Sequence, residues 1–416
     1  MLPVLMMQWL SLSRLAVLAA LFGATGPLPA QSLIHTSMGG GEPYLSHSDA
    51  AVLGAEAKRN DLPCQVEPLD PNLQYDLTFQ AGYVARVPLA ALAGKGNELR
   101  VLFRIQSLEP EVGEPVYFRE HYSVPAIEPD AQGEATLPGK YRLGPGRYKV
   151  SWLMRDRAEK VCASSWEVRA ETLEGFEKLA ASPDAAKISE WSEEIFDEDP
   201  PIRRASGKLL HIKMMVSFSP VDLSKVKLSE YDMRAVVSML RVLAREPQIG
   251  ELSIVAYNAH EERVVYQTKR ETRIDFKELG EAVQDSLSGM VNIDQLQDKQ
   301  SGEKFLKTLF EQHLTQQGVA ESDDPEPPDA IVFLGPKVVF ERPASGSLLA
   351  ESARLQLPLF YFMYNRNPRS YPWKDAVSAG LRNFDMKEFD ITSAKDFGRA
   401  VEEWVQMLAK LREQGS

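Results

Sequence analysis

The sequence is poor in the residues that metal binding and nucleophilic chemistry draw on. Only two cysteines, Cys64 and Cys162, and six histidines occur in 416 residues. Two cysteines this far apart do not resemble a zinc site, whose ligands come in closely spaced pairs. None of His35, His47, His121, His211, His260 and His313 has a second histidine at ligand spacing. Also absent are a Gly-x-Ser-x-Gly elbow, an HExxH helix, a phosphate-cradling P-loop and a dinucleotide glycine fingerprint after a strand. The nearest glycine–serine cluster, Ala344-Ser345-Gly346-Ser347, lies between expected strands and lacks the strand–turn–helix setting. Basic charge is in deficit: the formal net charge is -12, which disfavours a general surface for nucleic acid or anionic lipid. Beyond the first 30 residues no apolar run is long enough to cross a bilayer.

What is present suffices for large cores. Hydrophobic residues make up 44% and charged residues 25%, both ordinary for globular proteins, and the length suggests two or three domains. Residues 1–30 read as an export signal: one charge at Arg14, an apolar run over 15–24, and Pro27-Leu28-Pro29-Ala30 before Gln31. The alternative is an uncleaved segment that anchors the chain to a membrane. Export places the protein in the periplasm or outside the cell, where an even cysteine pair points to a Cys64–Cys162 disulfide. Two buried free thiols are the other possibility.

Residues 31–60, with Gly39-Gly40-Gly41, read as a flexible lead-in. Residues 61–169 read as an all-β immunoglobulin-like sandwich. Val101, Phe103 and Ile105 alternate with polar or outward positions, as do Tyr148, Val150, Trp152 and Met154. Turns are expected at Gly94-Lys95-Gly96-Asn97, Gly113-Glu114-Pro115, Pro138-Gly139 and Gly144-Pro145-Gly146. Tyr83, Tyr117, Phe118, Tyr122, Trp152 and Trp166 are candidates either for core and rim positions or for an exposed sugar-binding platform. Residues 170–207 read as a helical acidic linker, with helices over 173–181 and 185–196. Asp197-Glu198-Asp199-Pro200-Pro201 then reads as a solvated stop, since it has no calcium-loop spacing.

Residues 208–416 read as an α/β domain. The apolar strand 209–216 leads to Ser217-Phe218-Ser219-Pro220. Met233, Val236, Val237, Leu240, Leu243 and Ala244 follow at helical spacing behind Ser229. LSIVAY (252–257) and RVVY (263–266) read as an antiparallel hairpin, 276–287 and 305–314 as helices. After a polar loop at 321–328, 330–334 and 357–363 read as buried strands and 397–408 as a last amphipathic helix. Strands apolar on both faces imply a mostly parallel sheet with helices on both faces.

The strand ending in Ser217-x-Ser219, the long helix, the hairpin, the strand 331–334 ending at Gly335 and the final strand–helix pair together resemble a von Willebrand factor type A (vWA) domain, a Rossmann-like fold. That family commonly holds a divalent ion through an Asp-x-Ser-x-Ser loop and an Asp at the end of a later strand. Here Met215 and Leu334 stand at the two carboxylate positions, while Ser217 and Ser219 remain. A hard cation needs anionic oxygen, so no metal and no cofactor is expected, and the serines are expected to bond nearby backbone. The resemblance implies protein–protein interaction as the role, with an unidentified protein partner. The expected contact rim is 217–224, 335–347 and 364–371, including Gly335, Arg366 and Arg369. An extracytoplasmic hydrolase using that rim, for instance through a Ser217–His260 pair, and a sugar-binding module in the sandwich are the rival readings.

Overall fold

The computed structural model describes residues 32–34, 45–109, 114–171, 188–225, 227–286, 300–321, 326–341, 346–350 and 357–414. The expected signal at 1–30, Gly39–Gly41, the turn residue Gly113, the helix at 173–181 and rim residues 342–345 lie outside these.

The first half of the chain forms two antiparallel sheets stacked face to face. Its elements are β1 (Ser32–Ile34), α1 (His47–Ala55), β2 (Arg59–Asn60), β3 (Gln65–Leu73), β4 (Phe79–Pro88), β5 (Asn97–Ser107), β6 (Val116–Val124), β7 (Glu134–Leu143), β8 (Gly146–Arg155), β9 (Val161–Ala170) and β10 (Ser189–Glu190). One sheet runs β1-β6-β5-β8-β9-β2, the other β10-β7-β4-β3. The alternating residues Val101, Phe103, Ile105, Tyr148, Val150, Trp152 and Met154 meet Tyr83, Ala85 and Tyr141 in a single core. The Cys64–Cys162 disulfide joins the chain entering β3 to β9, and so ties one sheet to the other.

Three expectations for this half are corrected. Pro138-Gly139 is not a turn but the middle of β7. Gly139 is there because the Tyr83 ring lies over it: a Cβ would sit 2.2 Å from that ring. The described part of 31–60 is not a loose lead-in. The helix α1 lays Leu53 on Leu102, Leu153 and Val161, and its buried Asp49 accepts from Arg155 Nε at 2.9 Å. The described part of the linker is not helical, and it lies partly exposed against the rest of the molecule. β10 adds to β7, and the chain after it lies along the second half of the molecule as a strap.

That second half begins with β11 (Leu210–Ser217). It continues through α2 (Glu230–Ala244), β12 (Ile249–Asn258), β13 (Arg263–Glu271), α3 (Phe276–Ser286), α4 (Ser301–Leu314), α5 (Gln316–Glu321), β14 (Ala330–Pro336), β15 (Leu359–Tyr364), α6 (Ala376–Gly380), β16 (Met386–Ile391) and α7 (Ala394–Gln414). The sheet order is β13-β12-β11-β14-β15-β16. All neighbours are parallel except β12 and β13, which form the expected antiparallel hairpin. Ser229 caps α2, its Oγ accepting from Asp232 N at 3.1 Å. Met214, Val216, Val332 and Leu334 pack on α2, α3 and α7. Met215, Tyr257, Ile331 and Phe333 face the other way, onto α4 and α6.

The two halves touch. Tyr75, between β3 and β4, enters the core beneath α2 and meets the Tyr364 ring edge-on at 5.5 Å. On the strap, the Trp191 ring is flanked by Lys140, Arg142 and Arg234 at 5.5, 5.2 and 5.5 Å. Arg241 of α2 donates to Asp197 O at 2.7 Å and pairs with Asp199 at 2.9 Å. Phe196 packs onto Gly280, where a Cβ would lie 2.6 Å from its ring. In the acidic run Arg241 therefore holds Asp199 and the Asp197 carbonyl, while Glu198 is exposed.

Candidate functional site

In open α/β sheets ligands sit at the carboxyl ends of the strands, where the strand order reverses. Here that point lies between β11 and β14. It is filled by the protein itself. Ser217 Oγ donates to Ser219 Oγ at 3.0 Å, and Ser219 Oγ accepts from Ala259 N at 2.8 Å. Both serines are buried, 3% and 0% exposed. Gly335 crosses against them at φ +144°, and a Cβ there would stand 2.5 Å from Ser217 O. Only glycine permits this approach, because the backbone is left-handed and the neighbour is backbone too.

Met215 and Leu334 are buried on either side of the switch point, but their side chains enter different layers. Met215 joins the core under α4 and α6, Leu334 the one under α2 and α7. The sheet therefore stands between these two positions.

Under Ser217 lies a buried polar group that the sequence reading missed. Asp375 accepts from Val338 N and Ser378 N, each at 2.7 Å, and from the Tyr361 hydroxyl at 3.2 Å. Burial pushes its carboxyl up to about 6, against the lowering effect of those donors. Burial and the charge of Asp375 raise the Tyr257 phenol, which bonds towards Ser217. Asp375-Ala-Val-Ser378 carries a capping pattern, but the helix it starts has only five residues and shows no period.

The imagined Ser217–His260 pair is not formed. His260 Nε2 is 3.0 Å from Val339 O, and burial lowers its pKa. A different pair exists: His211 Nε2 lies 2.7 Å from Ser253 Oγ. It is buried at the amino-terminal part of the sheet, away from the strand ends. Nearby, Lys213 faces His313, whose pKa burial and that ammonium lower to about 4. Among the described residues no group of three or more His, Cys, Asp or Glu is placed to hold a metal.

The rim above the closed switch point is aromatic and basic. Leu223, Tyr231 and Trp373 are 47%, 50% and 54% exposed. The Arg366 guanidinium lies over the Tyr231 ring at 4.3 Å, Tyr371 and Trp373 meet at 5.9 Å, and Arg369 is exposed. In the stacked sheets, by contrast, Tyr83, Phe118 and Trp152 are core, and Tyr117, Tyr122 and Trp166 are half-buried. None of the six lies on an exposed platform. Between the halves, Gln74, Asp76, Arg142, Trp191 and Arg234 line a small cleft of about 30 Å³, room for about one water.

No protein-family model matches the chain, and no curated protein matches it. Among solved structures, a beta-glucosidase from Listeria innocua in complex with glucose, and the same enzyme with gluconolactone, are similar to 26% of this chain at 12% identity and a TM-score of 0.17. The match spans 16% of the length of those chains.

Proposed function

We propose that the chain is an exported, non-enzymatic protein–protein interaction protein. Its second half is read as a vWA-like domain that has lost its ion site, and its first half as an immunoglobulin-like sandwich. The strand order with one antiparallel edge supports the first assignment, and the face-to-face sheets support the second. The disulfide, and the absence among the described residues of a helix long and apolar enough to cross a membrane, support a periplasmic or secreted location.

One observation carries the functional reading. At the switch point the two serine hydroxyls are spent on each other and on Ala259 N, with Gly335 sealing the gap. A ligand therefore meets the exposed rim and not a reaction centre. Calorimetric titration with Mg²⁺ and Mn²⁺ tests this directly: wild type and Ser217→Ala should both give only weak, identical heats. Tight binding abolished by Ser217→Ala refutes the reading. So does turnover of an ester, phosphate or glycoside that the same substitution abolishes.

A further inference from the structure

We propose that the loop 364–374, together with Tyr231 of α2, is the docking surface for an acidic peptide segment of the partner protein. The proposal rests on the interaction reading above and names the chemistry of the partner. The chain carries a net -12, yet Tyr364-Asn-Arg-Asn-Pro-Arg-Ser-Tyr-Pro-Trp-Lys374 contains Arg366, Arg369 and Lys374 and no carboxylate. All three cations are exposed, and no ion pair engages any of them among the described residues. Asp232, on the neighbouring helix, is already occupied by the hydroxyls of Ser229 at 2.6 Å and Tyr364 at 2.9 Å.

The loop is also pre-organised. Ser370 N and Tyr371 N both donate to Asn367 O, at 3.0 and 3.1 Å. Asn365 Nδ2 and Lys337 Nζ both reach Tyr371 O at 3.4 Å, and Asn365 N donates to Ile391 O at 2.9 Å. The Arg366 guanidinium lies over the Tyr231 ring at 4.3 Å, a contact that leaves its N–H edge open to a carboxylate. That is the arrangement that receives a carboxylate bidentately. Trp373, tilted against Tyr371 at 5.9 Å and 54% exposed, offers an apolar anchor on the same loop. The loop's hydrogen bonds leave its backbone less entropy to lose on binding. A guanidinium fork and an exposed aromatic on one short loop select a peptide in which Asp or Glu neighbours an apolar residue. A diffuse lipid surface would use cations of any orientation.

The test is selection of a random displayed peptide library on the full-length protein, followed by affinity measurement of the enriched peptides. Enriched peptides should carry Asp or Glu beside an apolar residue and lose affinity when the acid is changed to its amide. Arg366→Glu should weaken binding by about tenfold or more. Arg366→Lys should also weaken it, because an ammonium cannot form the fork, and Trp373→Ala should weaken it while leaving the fold intact. The proposal is overturned if the enriched peptides lack acids, if they bind Arg366→Glu as tightly as wild type, or if no peptide is enriched. It is equally overturned if the rim instead binds phosphatidylglycerol vesicles over phosphatidylcholine ones in an Arg366-dependent way. The metal titration keeps the two readings apart: silent metal heats with no acidic peptide overturn this inference alone, whereas tight ion binding overturns the interaction reading itself.

Discussion

Asp375 and His313 are both buried in the second half of the chain, yet burial moves their charges in opposite senses with pH. The folded Asp375 carboxyl titrates near 6, above its unfolded value, so the folded state holds the proton more tightly. Its contribution is full at low pH and is lost as pH rises through about 6. Folded His313 titrates near 4, below its unfolded value, so its contribution is full above the ordinary imidazole range and is lost as pH falls through about 4. Denaturant titrations across this window should therefore separate the two. Asp375→Asn should make stability climb more steeply with pH, and His313→Gln should flatten or reverse the climb. The site was partly legible at this scale. The sequence pattern located Ser217 and Ser219; of their expected bonds to nearby backbone, Ser219 N donates to Ser217 Oγ and Ala259 N to Ser219 Oγ, while the bond between the two hydroxyls was not expected. Asp375, Tyr257 and Tyr361 were not legible, because they come from three separate strands or loops and only the fold brings them together.

At the scale of elements, strong periodicity was readable and edges were not. The strands β11, β12, β14 and β15 follow from their apolar runs, since they are enclosed, and α2 from the helical spacing of its one buried face. β16 escaped notice because only Phe389 and Ile391 of its six residues are buried. β3 escaped because Pro68 and Pro71 argue against a strand, a penalty that an edge strand avoids. The strap was misread because its stability comes from partners on α2 and not from its own sequence. Arg241 holds it through Asp197 O and Asp199 and also stacks on Phe276 at 4.4 Å. Arg241→Leu should leave the part-buried Asp199 without its counter-charge and cost about 2–3 kcal/mol, read as a lower thermal midpoint. Hydrogen exchange should then rise first at 195–199.

At the scale of the whole molecule, Tyr75 and the strap bind what the sequence reading treated as separate units, while the disulfide braces the two sheets of the first half. The bridge spans 98 residues, so Cys64→Ser combined with Cys162→Ser should cost up to about 4–5 kcal/mol in the chain-entropy picture. Denaturation with and without reductant checks the same quantity on the unmutated chain. Tyr75 and the strap place apolar and cationic contacts across the junction, which sequence periodicity within either half could not reveal. The C-terminal sheet acts as a partition between two oily compartments, with residue 215 opening on one and residue 334 on the other. Placing aspartate at both positions would strand a lone charge in each chamber instead of assembling a pair of pincers around an ion. Those two substitutions alone therefore build no ion site: the wall itself would have to be rebuilt.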